Sequence, residues 1–149
     1  MNDSRQRREL GILLFVANRA LEQRAFDAVV AAGITDITLA QARIAARIAP
    51  DGSRVSDLAE QARVTKQSAA SLVEQLEKAG YVERVRDPTD GRARLVRLTA
   101  RLQRVAEAAD AEVERVLAGW ADQVGGDRLQ QLHEILRELR AITDPWWHS

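Results

Sequence analysis

Between Thr65 and Thr99 the chain changes its hydrophobic period, and this change narrows the folds open to it most. The stretch reads TKQSAASLVEQLEKAGYVERVRDPTDGRARLVRLT. Ala69, Leu72, Val73 and Leu76 recur at three- and four-residue intervals, the spacing of one buried helix face. Gly80 stops that pattern. Two β-prone runs follow, Tyr81–Arg86 and Arg92–Leu98, on either side of Asp87-Pro88-Thr89-Asp90-Gly91. This predicts a hairpin with a longer loop. A lone hairpin is marginal in water, so it must lean on the helices around it.

The residues before Thr65 supply such helices. Thr38 followed by Gln41 is a capping box, and it opens a helix running to about Ile48. Pro50-Asp51-Gly52 is a turn. Arg54 and Val55 suit a short strand, and Ser56 an N-cap for a third helix, Asp57–Ala62. Arg63-Val64 is a tight turn, and Thr65 caps a fourth helix, Lys66–Ala79. Two short helices so joined carry the helix-turn-helix signature. The fourth helix offers Lys66, Gln67, Ala70, Ser71 and Glu74 on its polar face. Small residues there let a helix sit deep in a major groove, and its positive N-terminus favours a phosphate. Taken alone, an ordinary amphipathic surface helix fits this pattern equally well.

Long helices flank this core. Leu10, Leu13, Leu14, Ala17, Leu21, Ala25, Ala28 and Val29 stripe a first helix, Ser4–Ala32, that ends at Gly33. Its apolar face is wider near the N-terminus than one small domain needs. Thr99 caps a fifth helix striped by Leu102, Val105, Ala109, Val113, Val116, Trp120 and Val124. Gly125-Gly126 breaks it. Asp127 caps a sixth helix carrying Leu129, Leu132, Ile135, Leu136, Leu139 and Ile142 up to Pro145. Such stripes outrun what a small winged lobe can cover, which favours a homodimer over an intrachain bundle. Trp146 and Trp147 either cover the dimer seam or form a frayed tail.

Net charge is zero, with 22 Lys/Arg against 22 Asp/Glu, but its distribution is uneven. Residues 54–104 carry a net of +4 and residues 105–149 a net of −5. Seven arginines fall between Arg84 and Arg104, against Asp87 and Asp90. Such a stripe is an electrostatic footprint for phosphates, although charge alone leaves a solvated surface as the simpler reading. The chain has no cysteine, which removes disulfides, thiol chemistry and Cys-ligated zinc. His133 and His148 are the only imidazoles, so no metal site is expected. No run approaches the ~18 apolar residues of a membrane span, and Leu10–Ala17 lacks a cleavage site. A cytoplasmic protein is the expectation.

The string from Val64 to Thr99 resembles the MarR family of winged helix-turn-helix transcriptional regulators. Its most specific part is Asp90-Gly91-Arg92-Ala93-Arg94-Leu95-Val96-Arg97-Leu98-Thr99, similar to the family's wing signature: Asp-x-Arg, an apolar strand and a closing Leu-Thr. Leu76–Arg84 and Leu39-Ala40-Gln41 extend the likeness. The resemblance implies a mainly α fold with a small β-wing. It implies one domain over 1–149, made of a DNA-binding lobe at 34–99 and a helical dimerisation region at 1–33 and 100–149. It implies a homodimer on a palindromic operator in double-stranded DNA, with recognition helices in major grooves and wings in minor grooves. Thr65, Lys66, Gln67, Ser68, Ala70 and Ser71 would face phosphates and bases, with Arg84, Arg86, Arg92 and Arg94 on the wing and Asp90 orienting Arg92. A small aromatic or phenolic effector would lie near Phe15, Ile44 and Trp120, although plain core packing explains each of these singly.

Two departures stand out. The interhelical turn often holds glycine where this chain has Arg63. Many members also place arginine where this chain has Ser71, which shifts base reading toward Lys66 and Gln67. The leading expectation is a DNA-binding transcriptional regulator of repressor type. The alternative is a winged-helix protein-interaction module that never touches DNA, which the acidic C-terminal third would suit. No paired carboxylates, nucleophile–base set or phosphate loop points to an enzyme, and no cofactor is expected.

Overall fold

The computed structural model describes Asp3–Trp146, with side chains from Arg5 onward. The expected tail residues Trp147, His148 and Ser149 lie outside the described residues. The elements in order are α1 (Asp3–Ala31), α2 (Leu39–Ala45), α3 (Val55–Ala62), α4 (Lys66–Lys78), β1 (Val82–Asp87), β2 (Asp90–Leu98), α5 (Ala100–Val124) and α6 (Gly126–Thr143). The fold is mainly α with one two-stranded antiparallel wing.

The chain divides into two compact units. Ala28–Ala109 forms a winged lobe, and the chain before and after it forms a helical unit. The lobe's core is Ile37, Ile44, Leu58, Ala69, Val73, Leu76, Tyr81, Val82 and Val96, all at most 4% exposed. It carries 13 Lys/Arg against 10 Asp/Glu, a net of +3.

Several boundaries move from their sequence-based positions, each for a local reason. Thr38 does cap α2 through its capping box with Gln41. The helix proper stops at Ala45, however, and Arg47 and Ile48 bond three residues back, so the last turn tightens. Ser56 is not the cap of α3. Ser53 pairs with Val96 through two backbone hydrogen bonds of 2.9 and 2.8 Å, so the extended contact falls early and the helix starts at Val55 with Arg54 as N-cap. Gly52 permits this approach: its φ is +107°, and a Cβ there would meet Leu95 Cβ at 2.9 Å. At α6, Gly125 (φ +96°) interrupts the helix after α5 and is itself the N-cap. Asp127 instead sits in the first turn, where a carboxylate suits the helix dipole.

The helical unit buries little of its apolar surface. On α1, Leu10, Ile12, Leu13, Phe15 and Val16 are exposed. The 18-residue α6 has no buried residue and exposes Leu132, Ile135, Leu136, Leu139 and Ile142. Glu112 of α5 is buried here, where it accepts from Arg24 Nη2 of α1 at 2.6 Å and from Arg115 Nη2 at 2.9 Å.

Candidate nucleic-acid interface

α4 is built from its first turn. Thr65 Oγ1 accepts the Ser68 N–H at 3.0 Å and donates to Ser68 Oγ at 2.8 Å, so these two hydroxyls are occupied in capping the helix. Ala69, Val73 and Leu76 bury one face. Lys66, Gln67 and Ser71 are exposed on the other side, and Ala70 is half-buried. A chain of amides stands behind Ser71: its Oγ accepts from Gln75 Nε2 at 3.4 Å, and Gln75 Oε1 accepts from buried Gln41 at 2.8 Å. At its far end α4 closes in a Schellman motif. Gly80 (φ +77°) donates to Glu77 O, and Tyr81 donates to Leu76 O.

α3 ends in the same motif, with Arg63 where glycine is usual. Its φ of 55° and ψ of 40° are left-handed, and among the described residues it is the only non-glycine with positive φ. Its N–H donates to Glu60 O, and that of Val64 donates to Ala59 O. The turn therefore keeps the geometry that glycine would give, at the cost of a crowded Cβ.

The wing is tighter than its sequence predicts. Asp87 pairs with Asp90, so the loop is only Pro88-Thr89, and Asp90 and Gly91 belong to β2. Tyr81 is the residue after the helix-ending glycine and precedes β1. In the register Arg86 faces Arg94 and Asp87 faces Asp90, so Gly91, Arg92 and Ala93 bulge without partners. Asp90 Oδ1 accepts the backbone N–H of Arg92 at 3.1 Å, which orients the bulge and leaves the Arg92 guanidinium uninvolved.

The wing's cations divide into two sets. Arg84 is half-buried and donates to Glu77 at 3.1 Å, and Arg97 donates across the strands to Glu83 at 2.7 Å. Arg86, Arg92 and Arg94 are exposed, and among the described residues none pairs with an acid; the same holds for Lys66. Arg86 directly opposite Arg94 is a like-charge pair, which costs stability unless an anion lies against it.

Two clusters hold the wing on the lobe. In the first, Tyr81 donates its hydroxyl to Asp36, and Arg101 stacks on the Tyr81 ring at 4.4 Å. Arg101 also donates to Asp36 at 2.8 Å and to Ala79 O at the end of α4. The Tyr81 hydroxyl, then the Arg101 charge, keep the Asp36 carboxyl below its ordinary range, while burial and Asp36 raise Tyr81. Thr99 occupies the N-cap position of α5, but its hydroxyl donates to Gly80 O and Tyr81 O, binding the wing's end to its beginning. In the second cluster, buried Asp87 accepts the Thr89 hydroxyl and N–H on Oδ1, at 2.7 and 2.8 Å, and the Arg54 guanidinium on Oδ2 at 2.6 Å. The Thr89 hydroxyl and N–H, then Arg54, bring its pKa down to about 2. Sequence reasoning missed Arg54, Asp87 and Arg101, because the ion pairs that join Arg54 to Asp87 and Arg101 to Asp36 span 33 and 65 residues.

The three residues expected near an effector do not share one environment. Phe15 is 60% exposed on α1, and Trp120 is half-buried on α5 within the helical unit. Ile44 is sealed in the lobe's core at 1% exposure. A cleft of about 520 Å³ in the lobe, between Ile48, Glu83, Leu98 and Gln103, includes none of them. Among the described residues no His/Cys/Asp/Glu group could hold a metal, and no helix is long and apolar enough to cross a membrane.

Comparison with known proteins agrees with this architecture. Residues 35–93 match the sequence model of the MarR family. The HTH-type transcriptional regulator FarR of Neisseria gonorrhoeae is 31% identical over 110 residues, 73% of this chain and 75% of its own. The crystal structure of NadR in complex with 4-hydroxyphenylacetate is 30% identical, with a TM-score of 0.67 over 87% of this chain and 91% of that one. A MarR family protein from Bacillus stearothermophilus shares the fold, with a TM-score of 0.70 at 23% identity over 95% and 97% of the two chains. The wing, the helix-turn-helix and these likenesses together establish that the chain belongs to the MarR family of transcriptional regulators.

Proposed function

We propose that the protein is a homodimeric repressor that binds a palindromic operator in the cytoplasm. The observation that carries the DNA reading is the set of unpaired wing cations. Arg86, Arg92 and Arg94 stand exposed at the tip and flank of the hairpin, two of them directly opposed. A duplex backbone supplies the anions that such an arrangement lacks. α4 would enter the major groove with Lys66, Gln67 and Ser71 toward the bases. Gln pairs well with adenine and Lys with guanine. Thr65 and Ser68 would contribute mainly by holding the helix N-terminus, and Ala70 by leaving room for close approach. Arg84, held by Glu77, would support the wing more than it grips DNA.

The apolar surfaces of α1 and α6 support the dimer, since a monomer would leave them in water. An effector, a small aromatic or phenolic acid, is proposed from the likeness to NadR with its bound 4-hydroxyphenylacetate. Phe15 and Trp120 of the helical unit are aromatic side chains against which such a ring would stack.

Selection of bound sequences from a random duplex pool tests the proposal. An inverted repeat with half-sites about one helical turn, ~10 bp, apart is expected. Recovery of no preferred sequence at moderate salt would remove the operator reading.

A further inference from the structure

Arg54 stands at the foot of the helix-turn-helix, outside α4 and outside the wing, yet its guanidinium is bound into the wing's turn. Its Nε and Nη2 both donate to Asp87 Oδ2, at 3.1 and 2.6 Å. Asp90 Oδ2 lies 4.0 Å from the same Nη2. Asp87 is 6% exposed, so its charge has little water to satisfy it. Its other oxygen is committed to Thr89, which shapes the Pro88-Thr89 loop. Arg54 is thus the charged group that ties this loop, and the bulge bearing Arg92 beyond it, to the N-cap of α3. Its positive charge also lies within 4.0 Å of both wing carboxylates, Asp87 and the half-exposed Asp90.

We propose that Arg54 is the positioning residue of the wing. Through Asp87 it sets where Arg92 stands for DNA, and it offsets the negative charge of Asp87 and Asp90, without relying on a phosphate contact of its own. The proposal rests on the reading that the wing grips DNA. It makes an unusual demand on Asp87. Simple electrostatics says that removing a carboxylate from a DNA-facing hairpin should strengthen binding. Positioning says the reverse: an amide at Asp87 keeps the shape and an acceptor for Thr89 but sets an NH2 or a neutral oxygen against Arg54, so the wing comes loose.

The test is fluorescence anisotropy of the full-length protein on duplex DNA at 25 °C, with thermal melts run alongside. The proteins are wild type, Arg54→Ala, Asp87→Asn, the double variant, and Arg92→Ala as the control for the wing. Arg54→Ala and Asp87→Asn should each weaken binding about tenfold, of the order of one charged hydrogen bond. The double variant should be no worse than either alone, as for two residues acting as one unit. Tighter binding by Asp87→Asn overturns the proposal. So do additive losses, which would make Arg54 a phosphate contact in its own right. A lower melting temperature with unchanged affinity in the folded protein likewise assigns the pair to stability alone and overturns it. If Arg54→Ala does not fold at 25 °C, the sign of the Asp87→Asn effect still decides. If Arg92→Ala binds as wild type does, the reading of the wing itself has failed, which distinguishes that failure from this one.

Discussion

Replacing Arg63 with glycine should make the protein more stable although it deletes a side chain. Arg63 is the left-handed residue that ends α3, with φ 55° and ψ 40°. Its Cβ crowds the following carbonyl there, a strain of about 1–2 kcal/mol for a residue other than glycine. Glycine relieves this strain but gives the unfolded chain more freedom, which costs about 0.4–1 kcal/mol. The Arg63 side chain is exposed and makes no ion pair among the described residues, so its removal subtracts no contact. The net gain is then about 0.5–1 kcal/mol. For a protein of this size that corresponds to a rise in Tm of about 1–4 °C. Calorimetry at one fixed protein concentration, well above the dimer's dissociation constant, measures it cleanly. Arg63→Ala is the companion variant: it removes the charge but keeps the Cβ, so it should gain nothing. If Arg63→Gly melts at or below Arg63→Ala, the left-handed strain is not there, and the turn differs from the one described.

Two further outcomes follow from the same structure. The Asp87 carboxyl is held down to about 2 by the Thr89 hydroxyl and N–H and by Arg54, against a usual 3.8. The unfolded chain therefore binds the extra proton first, and the stability Asp87 contributes is present above pH ~4 and lost as pH falls toward ~2. Denaturant titrations at several acidic pH values should show wild type losing more stability over that interval than Asp87→Asn; equal losses would exclude Asp87 as the source. Leu139 of α6 is 42% exposed in one chain and is placed by our proposal in the dimer seam. Leu139→Asp should raise the dimer dissociation constant at least about tenfold, from the ~1.5–3 kcal/mol lost with a buried leucine. Light scattering after size exclusion reads this, and an undisturbed dimer would move the interface elsewhere.

What the amino-acid sequence made visible follows the reach of the interactions involved. The Thr38–Gln41 capping box, the Thr65 cap and the stop at Gly80 each join residues two to five apart, and all three stand where residue type and spacing place them. The α4 face follows from periodicity at Ala69, Val73 and Leu76, which are buried, while Leu72, expected on the same face, is only half-buried. The start of α3 was displaced because Ser53 pairs with Val96, 43 residues on, and nothing local to Ser56 announces that pairing. The wing's cations looked equivalent in sequence and are not: Glu77 holds Arg84 and Glu83 holds Arg97, while Arg86 and Arg94 face each other. Asp87 read as a loop residue and is instead a buried anchor, because Arg54 reaches it from 33 residues away. The family resemblance rested on the wing string, and its closing Leu98-Thr99 has a visible purpose. Leu98 pairs with Val82, and the Thr99 hydroxyl closes the hairpin onto Gly80 and Tyr81.

The central claim is that the wing arginines grip phosphates, and the salt dependence of DNA binding tests it most directly. Each neutralised phosphate contributes about −0.9 to the slope of log K against log salt on duplex DNA. Removing Arg86, Arg92 and Arg94 from both protomers deletes up to six phosphate contacts per bound dimer, so it should make the slope shallower by up to about 5.4 and weaken binding to all sequences alike. An unchanged slope in that triple variant, with the protein folded and dimeric, would contradict the account.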